Sequence, residues 1–316
     1  MNEPNPFSGS ILTVNGPIAP EAMGFTLPHE HVMSTFGSDL ARYPEYPSGR
    51  VLEIVLPYLA KIRSLGCRAL VDCTAAYFGR HPELLRRIAR ESGLHIVTNT
   101  GYYAAAGDRY VPPHAFAESA EEIANRWEHE FSDGIDETGI RPGFIKTAVD
   151  DGPLSEIDRK LVLAAILAHK RTGMTIQTHT GDNPTAAQEI LAMLAAESVH
   201  PSAWVWVHAH SSPSPGPLIE AARLGAWISL DGVNPASAAH ILGLLQAIRT
   251  AGLLGCALLS HDGDSYCLGD FRPYEYILTD FLKLLIENGF SPVEVERLTV
   301  TNPARAFTVR VREQAG

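Results

Sequence analysis

The sequence predicts an α/β protein, a (β/α)8 barrel preceded by a short β-hairpin. Three observations carry that prediction. Eight short, near-continuous apolar runs recur along the 316 residues, helix-periodic segments separate them, and chemistry-bearing polar residues fall where the runs end. Apolar runs without alternation suit parallel strands covered on both faces. Regular alternation of strand and helix places such strands in one parallel sheet, and eight of them can close. The competing open, doubly wound sheet lacks its usual nucleotide loop, because the chain has no Gly-x-Gly.

The hairpin is predicted over residues 10–20, turned by Asn15-Gly16. The strands follow at 25–28, 69–73, 96–100, 143–147, 175–179, 204–208, 227–230 and 257–260. Between the first two, residues 51–65 place Leu52, Val55, Leu56, Leu59 and Ile62 on one helical face. Further helices are predicted at 83–92 and at 155–172, where Ser155, Glu156 and Asp158 suit a helix start. Those at 184–198, 235–251 and 273–288 each open with proline. Gly66, Gly93, Gly173, Gly225 and Gly255 stand just before strands, where helix-ending glycines belong. Long loops are expected at 32–50, 101–117, 209–217 and 261–272. No composition shift or repeat divides the chain, so residues 1–316 are predicted as a single barrel domain.

Composition narrows the function. Lys and Arg number 25 against 36 Asp and Glu, a net charge of −11, which argues against a nucleic-acid partner. No apolar run approaches the roughly 20 residues a bilayer span needs, so no membrane partner is expected. The N-terminus lacks the basic and apolar regions of a signal peptide. Cys67, Cys73, Cys256 and Cys267 form neither a CxxC pair nor a disulfide framework and read as free thiols. A cytoplasmic enzyme acting on a small molecule is the expectation.

The strand ends carry the chemistry. They read His29-Glu30-His31, Lys146, His179, His208-Ala209-His210 and His261-Asp262. In a barrel these ends share the rim that hosts active sites. His29 and His31, two apart on a strand, face the same side and can converge on one cation. With His179, one strand-six histidine and Asp262, the donors exceed what a single four-coordinate metal needs, so two divalent metals are expected. Two such cations need a bridging anion. Lys146, between apolar neighbours, supplies one if its neutral amine takes up CO2 to become a carbamate, and burial beside positive charge favours the neutral amine.

These residues bring a resemblance into view. Gly24-Phe-Thr-Leu-Pro-His-Glu-His31, Asn99-Thr-Gly-Tyr-Tyr103, Arg141-Pro-Gly-Phe-Ile-Lys146, Thr178-His-Thr-Gly181, Leu259-Ser-His-Asp262 and Thr299-Val-Thr-Asn-Pro-Ala-Arg305 resemble the phosphotriesterase-like family of the amidohydrolase superfamily. The resemblance spans residues 10–308. It implies a binuclear (β/α)8 metal hydrolase with a carboxylated lysine, working as a homodimer. His29, His31 and Asp262 would hold the buried metal, His179 and the strand-six histidine the exposed one, and Lys146 would bridge both. Strand six offers two histidines: strand length after Pro201 favours His208 as ligand, leaving His210 to contact substrate, whereas aligning Ala209 with the family's glycine favours His210. Zinc is the expected metal, and Mn, Co or Fe also suit a nitrogen–oxygen set. Aromatics at Trp127 and from Tyr43 to Tyr46 would serve a subunit contact.

The implied reaction is attack of a metal-bridging hydroxide on a carbonyl of a lactone or carboxylic ester. Asp262 would take the proton, with His261 relaying or orienting. Amide hydrolysis of an N-acyl amino acid and phosphoester hydrolysis are the alternatives on the same site; a non-catalytic binding protein is the distant one. Tyr103 matches an aromatic that family lactonases place over the metals. Gly232 stands where the family's quorum-sensing lactonases carry arginine, which speaks against long-chain acyl-homoserine lactones. Arg272 would hold a substrate carboxylate or phosphate, unless it pairs with Asp270 or Glu275. Asp182 would bind the same ligand, unless Asp182-Asn183 merely caps the next helix.

Overall fold

The computed structural model describes residues 5–38, 40–42, 44–267 and 272–314. No helix among them is long and apolar enough to cross a membrane. The hairpin pairs β1 (Ile11–Thr13) with β2 (Gly16–Ile18). Thr13 pairs with Gly16, so the turn is Val14-Asn15, one residue earlier than the sequence suggested. The Thr13 hydroxyl sets that register by accepting from Asn15 N and donating to the Gly16 carbonyl.

Nine short strands make the barrel wall. They are β3 (Thr26–Glu30), β4 (Ala69–Asp72), β5 (His95–Val97), β6 (Asn99–Thr100), β7 (Phe144–Ala148), β8 (Thr175–His179), β9 (Trp204–Val207), β10 (Trp227–Leu230) and β11 (Ala257–Leu259). β3, β4 and β5 form one parallel ladder, and β6 through β11 another, in chain order. β5 and β6 are the predicted third strand, interrupted at Thr98, whose carbonyl accepts from Gly143 N. The fold is the expected (β/α)8 barrel.

The helices are α1 (Ser48–Ser64), α2 (Pro82–Ser92), α3 (Pro113–Ala117), α4 (Ala120–Asp133), α5 (Glu156–Thr172), α6 (Pro184–Ala196), α7 (Gly216–Leu224), α8 (Ala238–Thr250), α9 (Leu282–Glu287), α10 (Pro292–Glu296) and α11 (Asn302–Phe307). α3, which falls in the expected 101–117 loop, and α4, α7, α10 and α11 lie outside the predicted helices, although a Ser119–Glu122 capping box announces α4. Of the three helix-opening prolines, only Pro184 sits in a first helical turn; Pro235 and Pro273 precede their helices. Gly93, Gly173 and Gly225 end helices in left-handed conformation. Gly255 does not: it lies in the short turn Leu254–Cys256, and Gly252 (φ 76°) takes the left-handed position after α8.

Apolar side chains fill the lower barrel. Val71, Val97, Phe144, Val205, Val207 and Leu258 point to one cluster, closed from below by Phe307 of α11, whose ring lies 5.6 Å from that of Phe144. Trp127 belongs to the surrounding helical layer: it is buried on α4 against Tyr102, 5.3 Å between rings. It is therefore neither in a loop nor open to a second subunit. Tyr43 lies outside the described residues, and Tyr46 is half-buried, donating to the Gly79 carbonyl.

The seam between β11 and β3 has no regular ladder, and a buried carboxylate takes its place. Glu30 accepts from the Ser260 hydroxyl (2.8 Å), His261 N (3.0 Å), His261 Nδ1 (2.8 Å) and Gly263 N (2.6 Å). Backbone bonds from Asp262 N to the His29 carbonyl and from His31 N to the Gly263 carbonyl complete the closure.

One buried imidazole ties the C-terminal segment to α5. His169 Nδ1 donates to the Met174 carbonyl and its Nε2 accepts from Arg312 N, so the neutral ring is fully satisfied. Burial first, and the nearby Arg312 charge, lower its pKa from 6.5 to about 4. The unfolded chain therefore takes up a proton that the folded chain refuses. The contribution is intact above pH 6.5 and is lost as pH falls toward 4. Between pH 7 and pH 5 this group should cost about 2 kcal/mol of stability. In urea titrations at both pH values, His169→Gln should be the weaker protein at pH 7 but lose less on acidification than the parent. Equal losses would discard this assignment.

Candidate metal centre

Four imidazoles, one lysine and one carboxylate meet in a cavity of about 190 Å³ at the C-terminal rim. His29, His31, Lys146, His179, His208 and Asp262 line it, with Tyr103, Arg272, Ser34, Phe36 and Phe78. Alternation along β3 sends His29 and His31 inward while Glu30 faces the seam. His29 Nε2 and His31 Nε2 lie 3.4 and 3.3 Å from the same oxygen of Asp262. The His208 ring lies 5.0 Å from His29 and 4.4 Å from His179.

Each of the four rings is held at Nδ1. His31 meets the Thr74 hydroxyl at 2.8 Å, and that hydroxyl donates onward to the Met33 carbonyl. His29 meets Gln177 Oε1 at 3.3 Å, His179 the Tyr103 hydroxyl at 3.3 Å, and His208 Asp231 Oδ1 at 2.8 Å. Anchoring at one nitrogen fixes the tautomer and commits the other to a cation. Nε2 of His29 is buried with no hydrogen-bond partner, as a ligand atom would be without its ion. The residues present thus fit a metal, and His29, His31 and Asp262 bring their ligand atoms within 4.8 Å of one another.

Burial shapes the charges. It lowers the His29 pKa to about 3 and that of His179 well below the ordinary imidazole value, so both rings are neutral, as ligands must be. Burial also works to raise the Asp262 pKa, but the close approach of His29 and His31 outweighs it and holds the group below the ordinary carboxylate range. Burial lowers the Lys146 pKa, against the acids Cys73, Asp231 and Asp262 around it. Burial is one of the two causes the sequence argument named. Lys146 sits where β7 passes β6 closely. A Cβ on Gly101 (φ 119°) would overlap the Lys146 carbonyl oxygen, so only glycine fits there.

Several sequence expectations are corrected by position. The i, i+2 rule would turn His208 and His210 to the same side, but β9 ends at Val207, the chain turns at His208 (φ 59°) and the two rings diverge. His208 lines the cavity and His210 does not. His261 is not placed to relay a proton: its Nδ1 donates to Glu30, its Nε2 accepts from Ile277 N, and it is absent from the cavity wall. Asp182 is exposed and off the cavity wall; Asn183 is the helix cap, accepting from Ala186 N. Arg272 pairs with Asp262 at 2.5 Å. Glu275 instead takes Lys61, and Asp270 lies outside the described residues. Two residues of the site carry no role in the sequence reading: Asp231, although it ends strand seven on the same rim, and Phe36, on a loop without periodic signal.

A (β/α)8 barrel gathering these donors on its catalytic rim has the architecture of a metal-dependent hydrolase. A model of the phosphotriesterase family matches residues 9–307, and the chain belongs to that family. It is 29% identical over 296 residues to the phosphotriesterase homology protein of Escherichia coli (strain K12), covering 90% of this chain and 98% of that one. The phosphotriesterase homology protein of Mycobacterium tuberculosis (strain ATCC 25618 / H37Rv) is 28% identical, with 93% and 96% covered. The N-acetyltaurine hydrolase of Homo sapiens is 25% identical, with 96% and 99% covered. The chain is a hydrolase of this family.

The Glu30 clamp yields a prediction. Glu30→Ala strands four buried donors and should cost roughly 3 kcal/mol in denaturant titrations. It should also weaken metal retention, because His31 and Asp262 lie on opposite sides of the seam. Unchanged stability would show that the seam closes without it.

Proposed function

We propose that the chain hydrolyses a small anionic carbonyl compound, a lactone or carboxylic ester, at a binuclear metal site. The observation that carries this is the Arg272 guanidinium on the wall of a 190 Å³ cavity shared with all six metal-site residues. The volume falls below the roughly 300–1,000 Å³ of pockets for drug-sized ligands. A rim cation favours a substrate carrying its own negative charge over a neutral phosphotriester.

His29, His31 and Asp262 would hold one divalent cation, His179 and His208 the second, with zinc proposed and Mn, Co or Fe compatible. Lys146 would join the two sites as a carbamate. Its neutral amine forms an N–C bond to CO2 and releases one proton, and the product is an anion. Bound there, the cations supply Lewis acidity toward the carbonyl oxygen and lower the pKa of a coordinated water. The protein's own groups do the rest. Asp262, held ionised, accepts a proton and returns it to the leaving oxygen. Tyr103, kept protonated because burial raises its pKa, keeps a hydroxyl donor beside His179. Phe78 stacks on Tyr103 at 4.6 Å and, with Phe36, gives the cavity an aromatic wall.

A second reading is favoured by the relatives' names. N-acetyltaurine is a small amide bearing an anionic group, so hydrolysis of an N-acyl amide fits the same cavity and the same rim cation.

Two measurements test the proposal. Elemental analysis should find about two metals per chain in the parent and fewer in Lys146→Ala; one or none in the parent would end the binuclear reading. A panel of small lactones, esters and N-acyl amides, each with and without a carboxylate or sulfonate, should show preference for the anionic members. Arg272→Met should raise KM for those about tenfold and leave KM for the neutral members nearly unchanged. Preference for neutral phosphotriesters would overturn the substrate class.

A further inference from the structure

We propose that His210 is a positioning residue for the metal site, and that Gly232 is glycine because the His210 ring occupies the place of its side chain. The proposal rests on His208 being a metal ligand.

The geometry is a clamp. After β9 the chain enters the short turn Ala209–Ser211, and the His208 and His210 rings diverge, with planes 84° apart and centroids 5.9 Å apart. Their Nδ1 atoms nevertheless converge on one atom: Asp231 Oδ1 receives His208 at 2.8 Å and His210 at 3.0 Å. The other oxygen, Oδ2, accepts from the Ser229 hydroxyl at 2.7 Å and from His208 N at 3.1 Å. The carboxylate is fully buried and carries two donors on each oxygen. Such a group has one orientation. Remove the His210 donor and Oδ1 keeps only His208, while His29 Nδ1 lies 3.5 Å from Oδ2 and competes for the carboxylate. His210 thus acts through Asp231 on the ring that faces the cavity.

The other side of the clamp is steric. A Cβ at position 232 would overlap His210 Nε2 and lie within 2.6 Å of Cδ2 and Cε1. Gly232 has no left-handed φ, so backbone conformation does not demand glycine; the neighbouring ring does. The His210 carbonyl accepts from His240 Nε2 at 2.9 Å, which pins the segment from behind. The contact on the strand-seven side of the rim is therefore an imidazole supplied by strand six, and position 232 is barred to any larger residue while that imidazole stays.

The test is a double-mutant cycle on metal retention, read by competition of zinc against a chromogenic chelator, with thermal unfolding alongside. His210→Ala should weaken zinc retention at least tenfold. His210→Asn, whose side-chain nitrogen falls near the place of Nδ1, should recover most of that loss. Gly232→Ala should weaken retention and lower Tm in the parent, yet cost almost nothing further in His210→Ala. Gly243→Ala, with open space at its Cβ inside α8, is the control: it should leave zinc retention unchanged and, if anything, raise Tm. If Gly232→Ala costs the same in both backgrounds, the steric claim is wrong. If His210→Ala retains zinc like the parent, the positioning claim is wrong. A parent that binds no zinc overturns the metal reading itself; the Tm cycle then still decides the steric claim.

Discussion

The barrel must close between its first and last strands, and at that seam the peptide ladder gives way to the carboxylate of Glu30. Four donors from Ser260, His261 and Gly263 converge on it. A buried carboxylate is costly unless its lone pairs are filled, and these donors fill them. The same clamp decides the site. His29 and His31 flank Glu30 on β3, while Asp262 lies between the two residues whose amides Glu30 holds, His261 and Gly263. The three candidate ligands of the buried metal therefore straddle the closure, and their spacing is a property of the seam rather than of either strand. Closing the fold and assembling the site are one event.

That coupling explains what the sequence disclosed and what it hid. Strand order, the inward His29 and His31, the buried Lys146 and the rim position of His179 and Asp262 follow from two periodicities and from the rule that barrel chemistry gathers at C-terminal strand ends. Those rules hold only while the chain remains a strand. They fail at His208, where a left-handed turn breaks the period and sends His210 elsewhere. They fail at His261, which looked like a relay because it precedes Asp262, but which spends both ring nitrogens on Glu30 and Ile277. Asp182 lost its place to its neighbour Asn183, the better-positioned helix cap. Arg272 has its carboxylate partner ten residues away, within the site, a pairing that depends on how the loop folds back.

The site is also organised against its own electrostatics. Neutral imidazoles, a desolvated lysine and the carboxylates of Asp231 and Asp262 lie close together at the rim. Burial suppresses the charge of His29 and His179, whereas the four donors on Asp231, and for Asp262 the approach of His29 and His31, hold both carboxyls below the ordinary range. The neutral rings and the charged acids are thus mutually dependent. A His208 ring that left its Nδ1 anchor would free a ligand atom to turn and would deprive the buried Asp231 carboxylate of a donor. Preorganisation of this kind places ligand atoms before any ion arrives, so less ordering remains when one does.

Asp262 carries the heaviest load. One oxygen faces Nε2 of both His29 and His31, and the other meets the Arg272 guanidinium. A carboxylate engaged on both oxygens must loosen one contact to move a proton, and the guanidinium, which is half-exposed, yields most easily. An anionic substrate group drawing Arg272 toward itself would do that at the moment of binding. The guanidinium would then serve recognition and release in a single displacement, tying the availability of the base to the presence of a charged substrate. A neutral substrate would bind without loosening that contact. Discrimination by charge would then fall on the chemical step as well as on binding, because the guanidinium proposed to recognise the substrate would also restrain the proposed proton acceptor.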